Sequence, residues 1–207
     1  MPFYGYGEDA LTYAALTENL EDILAEFNDA TSRNDAVLFF RPSFGRRGAR
    51  STGRAASFGE FDGIIGTPFG TYLIESKWSR SGETWGKSKS DQLNLRPEQV
   101  RRHEVLRWYI DRWRSQRWPD WSTFRSSNVV EFETSFERLT IPTDDRTLGQ
   151  NLVFVLEKLR PCGPVQDVVL FCNIDQFECP SPPKPFRLIV RERAVENVSG
   201  FFRMGER

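Results

Sequence analysis

The most informative part of the sequence is Gly59-Glu60-Phe61-Asp62-Gly63-Ile64-Ile65, followed by Gly66-Thr67-Pro68-Phe69-Gly70 and then by Thr71-Tyr72-Leu73-Ile74-Glu75-Ser76-Lys77. The outer runs are rich in Ile, Leu, Tyr and Phe, and the middle run carries Gly and Pro. This composition predicts a strand, a turn and a second strand that form an antiparallel hairpin. Because both strands are largely apolar, they are expected to occupy a central position in a sheet that is covered on both faces.

The register of this hairpin determines which charged side chains meet. A turn centred between Pro68 and Phe69 would place Asp62 opposite Glu75. The same register would place Glu60 opposite Lys77, and alternation would bring all four side chains to one face. A slip of one residue would send Asp62 and Glu75 to opposite faces, whereas a slip of two would keep them together.

Two carboxylates and a lysine on one face suit phosphodiester hydrolysis. Carboxylate oxygens on adjacent strands can hold Mg²⁺ or Mn²⁺, and such an ion activates water and polarises a phosphoryl oxygen. Lys77 can stabilise the developing negative charge. The alternative is a charged face with Glu60–Lys77 and Asp62–Lys77 ion pairs, which contribute only ~0–1 kcal/mol when exposed. Since the strands are otherwise apolar, clustered carboxylates are unfavourable there without a cation or full pairing, and the metal site is the favoured interpretation.

The spacing of these residues resembles a known signature. Asp62, twelve intervening residues and then Glu75-Ser76-Lys77 are similar to the motif of the PD-(D/E)XK nuclease superfamily, which includes restriction endonucleases, Holliday-junction resolvases and repair nucleases. Phe61 replaces the proline for which the family is named. The resemblance covers roughly residues 8–115 and, more loosely, the strand at 167–172. It implies an α/β fold with a restriction endonuclease-like core, in which helices flank a mixed central β-sheet.

The resemblance also implies an activity. It predicts a metal-dependent nuclease that hydrolyses phosphodiester bonds, with DNA expected ahead of RNA, in a restriction, repair or phage-defence setting. Asp62 and Glu75 would bind Mg²⁺ or Mn²⁺, and Lys77 would serve the attacking water or the transition state. The alternative is a catalytically silent nucleic-acid-binding or assembly subunit of a larger complex. A third hypothesis is a structural protein whose hairpin charges only pair with one another.

Two further residues match features of the family. The helix before the hairpin often supplies an acidic residue near its start, so Glu8 is a candidate metal ligand and Glu18 is the alternative. The helix after the hairpin often carries a glutamine near the site, and Gln99 is the corresponding candidate catalytic residue. From the residues alone, Glu8 can equally be a favourable acid at a helix N-terminus, and Gln99 a surface side chain. Glu60 is expected to pair with Lys77 rather than to bind metal.

Arginine is concentrated locally although the formal net charge is only -1. The stretch from Ala36 to Gly59 contains no acidic residue, and a second basic stretch runs from Arg96 to Arg117. Such patches can hold the phosphates of a nucleic acid, or they can be solvated loop and helix faces. The candidate nucleic-acid-binding residues are Arg46, Arg47, Arg50, Arg54, Arg101 and Arg102.

The chain length of 207 residues fits a single nuclease-like domain over 1–207, with a core over about 8–175 and a C-terminal extension over about 176–207. Cys162, Cys172 and Cys179 form no CxxC pair, so neither a disulfide framework nor a zinc site is expected. No apolar run is long enough for a membrane span and no signal peptide is evident, which favours a cytoplasmic protein. A homodimer or a larger protein complex is compatible with the resemblance.

Periodicity and composition predict the remaining elements. The expected helices cover 8–28, 97–114 and 148–159, and the expected strands cover 36–40, 167–172 and 186–190, with 132–139 also extended. An aromatic set is expected to lie mainly in the core, although it could stack on bases if it were exposed: Trp108, Tyr109, Trp113, Trp118 and Trp121.

Overall fold

The computed structural model describes residues 3–45, 55–79, 93–174, 181–192 and 201–204. The strands are β1 (Phe3–Tyr6), β2 (Val37–Phe40), β3 (Ser43–Phe44), β4 (Gly59–Glu60), β5 (Gly63–Gly66), β6 (Thr71–Trp78), β7 (Val165–Asn173), β8 (Arg187–Glu192) and β9 (Phe201–Met204). The α-helices are α1 (Gly7–Glu18), α2 (Leu20–Ala25), α3 (Pro97–Ser115), α4 (Trp121–Ser135) and α5 (Thr147–Leu159). Within these ranges, none of the helices has the length and apolar character needed to cross a bilayer.

A five-stranded mixed sheet in the order β2-β5-β6-β7-β8 forms the centre of the protein. Strands β2, β5 and β6 are antiparallel neighbours, and β6, β7 and β8 run parallel. The predicted α/β class and mixed sheet are confirmed. Because β6 has neighbours on both edges, seven of its eight residues are buried, as expected for a central strand.

Helices cover both faces of this sheet. One face packs on α1 and α2 through a cluster that includes Leu16, Tyr72 and Ile74. The other face packs on α3, α4 and α5 through a cluster that includes Leu73 and Tyr109. The aromatic set lies in or against this second cluster, as expected, with Tyr109, Trp113 and Trp121 buried and Trp108 and Trp118 partly buried.

The hairpin adopts the register that the turn predicts. Gly63 pairs with Ile74 and Gly66 pairs with Thr71, so that Asp62, one residue before the ladder, approaches the strand beside Glu75. The prediction that Glu60 continues this ladder opposite Lys77 is wrong. Glu60 lies in β4, where it pairs with Ser43 of β3 in a separate two-stranded sheet.

Two predicted elements need correction. The helix expected over 8–28 is divided at Asn19, whose ψ of 23° is outside the helical range. The segment 132–139, expected to be extended, instead contains the end of α4. Asp120 starts this helix because its carboxylate accepts a hydrogen bond from the Thr123 amide at 2.7 Å, and Phe132 anchors it in the core. Helices α3 and α5 and strands β2, β7 and β8 match the sequence predictions to within a few residues.

A buried carboxylate fixes the turn of the hairpin. Asp29 is 2 % exposed. Its Oδ2 accepts hydrogen bonds from Thr67 Oγ1 at 2.6 Å and Tyr72 Oη at 2.8 Å. Its Oδ1 accepts from the amide and the hydroxyl of Thr31. Because Thr67 starts the turn and Tyr72 follows it, Asp29 ties both ends of the turn to the segment after α2.

Asp29→Ala is expected to lower the free energy of unfolding by about 2–4 kcal/mol, because it leaves buried hydroxyl donors without an acceptor. Denaturant unfolding would measure the change. The control is Asp144→Ala, at an exposed loop carboxylate, where a change within about 0.5 kcal/mol is expected. Equal effects of the two substitutions would contradict the role assigned to Asp29.

Candidate active site

Glu75 is the central carboxylate of the candidate site. It lies in the middle strand β6, on the face toward α3, and is 1 % exposed. Lys77, two residues along the same strand and 5 % exposed, donates from Nζ to Glu75 Oε1 at 3.0 Å. The expected proximity of Glu75 and Lys77 is therefore present, and the pair is buried rather than solvated.

Helix α3 supplies two more partners of Glu75. Gln99 Nε2 donates to Oε1, and Arg102 Nη2 donates to Oε2. The two residues are three positions apart on the helix and therefore share one face. Gln99 also accepts from the Arg96 amide at 2.8 Å through Oε1, which fixes its amide orientation at the start of α3. Gln99 thus lies at the site, as the resemblance implies.

Arg102 was expected to contact nucleic acid, and it lies inside the site. Its guanidinium carbon is 5.6 Å from the centre of the Phe61 ring, which is a cation–π distance. Its Nε is buried and has no hydrogen-bond partner among the described residues. Arg102 is therefore oriented by Phe61 and Glu75 while part of its donor capacity is unused.

Asp62 completes the hairpin part of the site. Its Oδ2 accepts a hydrogen bond from the Ser76 amide at 2.7 Å, which links the start of β5 to the strand that carries Glu75 and Lys77. Burial and the neighbouring Glu75 carboxylate raise the pKa of Asp62 to about 6, although the Ser76 amide, Arg102 and Lys77 act in the opposite direction. The anionic form of Asp62 is thus incompletely compensated.

Glu8 reaches the same site from the first turn of α1. Burial raises its pKa to about 7; Lys77 lowers it, and the Asp62 and Glu75 carboxylates raise it further. Thr12, one turn along α1, is within 2.6 Å of Ser76 Oγ through its hydroxyl, which fastens the helix to β6. Glu18 lies ten residues from Glu8 at the opposite end of α1, about 15 Å away at the rise of an α-helix. The geometry therefore favours Glu8 over Glu18.

Three carboxylates and two cationic side chains thus interact at one end of the hairpin. With every group ionised the cluster carries one excess negative charge, which is consistent with the raised pKa values of Glu8 and Asp62. Among the described residues, no three His, Cys, Asp or Glu side chains converge closely enough to form a ready set of metal ligands. The negative charge of the three carboxylates is therefore only partly compensated by the two cationic side chains.

The other predicted residues lie elsewhere. Arg101 points away from Glu75, and its Nη2 donates to the Glu137 carbonyl just beyond α4. Glu60 pairs with Arg41 at 3.5 Å, and Lys77 pairs with Glu75. The predicted phosphate contacts Arg46, Arg47, Arg50 and Arg54 lie outside the described residues.

Sequence analysis did not identify Ser76 and Thr12 as part of the site. Ser76 contributes its amide to Asp62 and its hydroxyl to the Thr12 contact. The spacing of Glu8 and Thr12 by one helical turn was an available signal for a shared face. Their contact with Ser76 depends on how α1 packs against β6, and no local sequence pattern specifies that packing.

Comparison of the chain with protein-family models, with curated proteins and with solved structures finds no match in any of the three. The geometry of the site is therefore the basis for any functional inference.

The raised pKa values make the stability of the metal-free protein depend on pH. A carboxyl whose pKa is higher in the folded protein than in the unfolded chain holds extra protons in the folded state, so stability falls as pH rises from about 4 through the folded values near 6 and 7. Glu8→Gln is expected to raise the thermal midpoint by about 2–4 °C at about pH 8, corresponding to ~1 kcal/mol. At about pH 5 the gain should disappear because Glu8 is then protonated.

Calorimetry of the metal-free protein at the two pH values would measure this difference. Glu18→Gln, in the same helix but at its far end, is the matched control and should show no such pH-dependent gain. A gain from Glu8→Gln that is the same at both pH values would show that ionisation of Glu8 is not its cause.

Proposed function

We propose that the protein is a metal-dependent nuclease whose site is formed by Asp62, Glu75 and Lys77. The observation that carries the proposal is that two hairpin carboxylates, a buried lysine and the helix-borne Glu8 interact electrostatically at one place, with the pKa values of Asp62 and Glu8 raised. Perturbed carboxyl groups clustered with a buried lysine are typical of catalytic sites. A restriction endonuclease-like core is the corresponding proposal for the fold.

The donor set suits a hard divalent cation such as Mg²⁺ or Mn²⁺, because all of its candidate ligands are carboxylate oxygens. Asp62 and Glu75 would hold the ion, with Glu8 as a third ligand. The excess negative charge supports this assignment, since a cation would favour the ionised forms of Asp62 and Glu8. When bound, the ion would polarise a phosphoryl oxygen and lower the pKa of a coordinated water.

The side chains of the chain itself have distinct roles in this proposal. Lys77 stabilises negative charge that develops on the phosphate, and its Nζ is held in place by Glu75. Gln99 orients the same Glu75 oxygen from helix α3. The Ser76 amide keeps Asp62 directed toward the strand. DNA is the proposed substrate ahead of RNA, on the resemblance of the hairpin motif alone.

A catalytically silent nucleic-acid-binding role is the competing hypothesis, and one observation favours it. Both oxygens of Glu75 already accept charged or polar donors from Lys77, Gln99 and Arg102. A carboxylate that is satisfied in this way is stable in the interior without a metal. Activity of the purified protein separates the two hypotheses.

Lys77→Met is expected to reduce Mg²⁺- or Mn²⁺-dependent cleavage of linear and circular DNA by about 100-fold or more, because a single transition-state donor contributes on that scale. The matched control is Lys158→Met, on the exposed side of α5, which should cleave like the wild type. EDTA should abolish cleavage by both active proteins.

Binding of Mn²⁺, measured by calorimetry without DNA, tests the metal site independently of activity. Wild-type protein should bind the ion, and Asp62→Asn should bind it at least about tenfold more weakly. Binding of DNA without Mn²⁺ binding or cleavage would favour the silent role and contradict the nuclease proposal.

Arg102 provides a second test, since it neutralises Glu75 and would compete with a cation. Arg102→Gln is expected to tighten Mn²⁺ binding and to weaken DNA binding, each by about tenfold, a change of ~1.4 kcal/mol. Arg101→Gln, one residue away but directed at Glu137, is the control for Mn²⁺ binding. Weaker Mn²⁺ binding by Arg102→Gln would mean that Arg102 only holds Glu75 in position.

A further inference from the structure

Strand β2 is the outer strand of the five-stranded sheet, as far as the described ranges extend. Its sequence, Val37-Leu38-Phe39-Phe40, contains no charged residue and no proline. Edge strands of monomeric proteins are usually protected by charges, proline or bulges, because an open edge can pair with another strand. An unprotected apolar edge is therefore a candidate interaction surface.

Two hydrogen bonds determine which peptide groups of β2 face the open side. The Thr67 amide donates to the Gly70 carbonyl at 2.8 Å. Hydrogen-bonded and non-hydrogen-bonded residue pairs alternate along an antiparallel ladder. Counting back from Thr67, the peptide groups of Gly63 and Ile65 in β5 therefore bond to β6. The even-numbered residues of β5 then bond toward β2, and the Arg41 amide donates to the Asp62 carbonyl at 3.2 Å, as this alternation requires.

The same alternation applies to β2 itself. Val37 and Phe39 bond to β5 together with Arg41. The amide and carbonyl groups of Leu38 and Phe40 therefore point away from the sheet. Ala36, which precedes the strand with an extended conformation (φ -91°, ψ 147°), continues this outward-facing series.

Aromatic side chains flank the edge on both faces of the sheet. On the α1 face, the rings of Tyr13 and Phe40 are 5.2 Å apart and are 41 % and 38 % exposed. On the opposite face, the rings of Phe39 and Phe154 are 6.1 Å apart, and Phe154 is 58 % exposed. A strand that paired with this edge would cover these apolar side chains on both faces of the sheet.

We propose that β2 pairs antiparallel with β2 of a second copy of the chain, about a twofold axis at Leu38. Bonded pairs across the new edge must join outward-facing residues, so only registers that match even-numbered residues are allowed. Among these, pairing Leu38 with itself uses the outward groups of Ala36, Leu38 and Phe40 in both copies. The result is one continuous sheet of ten strands.

The side chains are complementary in this register. Phe40 lies opposite Ala36 of the second copy, so a large ring meets a small side chain on the α1 face. Phe39 lies opposite Val37 on the other face. The pairing ends beyond Ala36 and Phe40, because Asp35 lies in a short 3-10 helix and Arg41 has a positive φ of 49°. A strand of this length buries less than the ~800 Å² per partner of a typical stable interface, so the dimer is expected to form in a concentration-dependent way.

The twofold axis allows a direct test by cross-linking. The two Leu38 Cα atoms would lie about 5.5 Å apart as a bonded antiparallel pair, which is within the range of about 4.4–6.8 Å that a disulfide spans. Leu38→Cys, in a background with Cys162→Ser and Cys179→Ser, should form a disulfide-linked dimer under mild oxidation. Val130→Cys, at a 76 % exposed position of α4, is the control and should remain largely monomeric on a non-reducing gel.

Sedimentation of the unmodified protein provides the second measurement. The wild type should show a monomer–dimer equilibrium, and Phe40→Glu should raise the dissociation constant several-fold because it places a charge against Ala36 of the second copy. Val130→Glu, the same kind of change at a 76 % exposed position outside the sheet, should leave the equilibrium unchanged. A wild type that is monomeric at all concentrations, or a dimer in which Leu38→Cys links no faster than Val130→Cys, would overturn the proposal. Both measurements are independent of nuclease activity.

Discussion

Burial of the Glu75 carboxylate in the central strand is the constraint on which the site depends. A charge removed from water is strongly unfavourable unless opposite charges and hydrogen bonds compensate it. Lys77 provides compensation from the same strand, and Gln99 and Arg102 provide it from α3. Helix α3 is thus held across the sheet in part by its contacts with this one carboxylate. Loss of any one of these three partners would leave the buried charge of Glu75 less completely compensated.

The turn of the hairpin determines the register of the antiparallel half of the sheet, which consists of β2, β5 and β6. Asp29 holds Thr67 and Tyr72 at the two ends of the turn, and the turn sets the pairing of β5 with β6. That pairing brings Asp62 beside Glu75. Through the alternation of hydrogen bonds it also determines which peptide groups of β2 face outward. The candidate site and the edge strand are therefore consequences of one register.

This register can be predicted from the sequence because it depends on a short turn whose residues are close together in the chain. The sequence also predicts Gln99 near the site and the helices α3 and α5. It fails at Glu60, because pairing of β4 with β3 depends on how the chain returns to Ser43 from a distant segment. It fails at α4 because the β-branched and aromatic residues before Phe136 favour an extended interpretation, whereas the Asp120 cap and core packing favour the helix. The contacts of Arg102 and Thr12 depend on helix packing that no local pattern specifies.

The buried and half-buried carboxylates of this fold differ in how completely their negative charge is compensated. Asp29 and Asp167 are both buried, which raises the pKa of each, but their donors outweigh burial and lower the pKa below its ordinary value. For Asp167 these donors include His103 and Arg107, so the single histidine has a structural partner. At Asp62 and Glu8, burial raises the pKa and neighbouring carboxylates raise it further, and the nearby donors and cations do not restore the ordinary value. The fold thus compensates Asp29 and Asp167 but leaves Asp62 and Glu8 undercompensated at one place, where a bound cation, as proposed, would supply the missing positive charge.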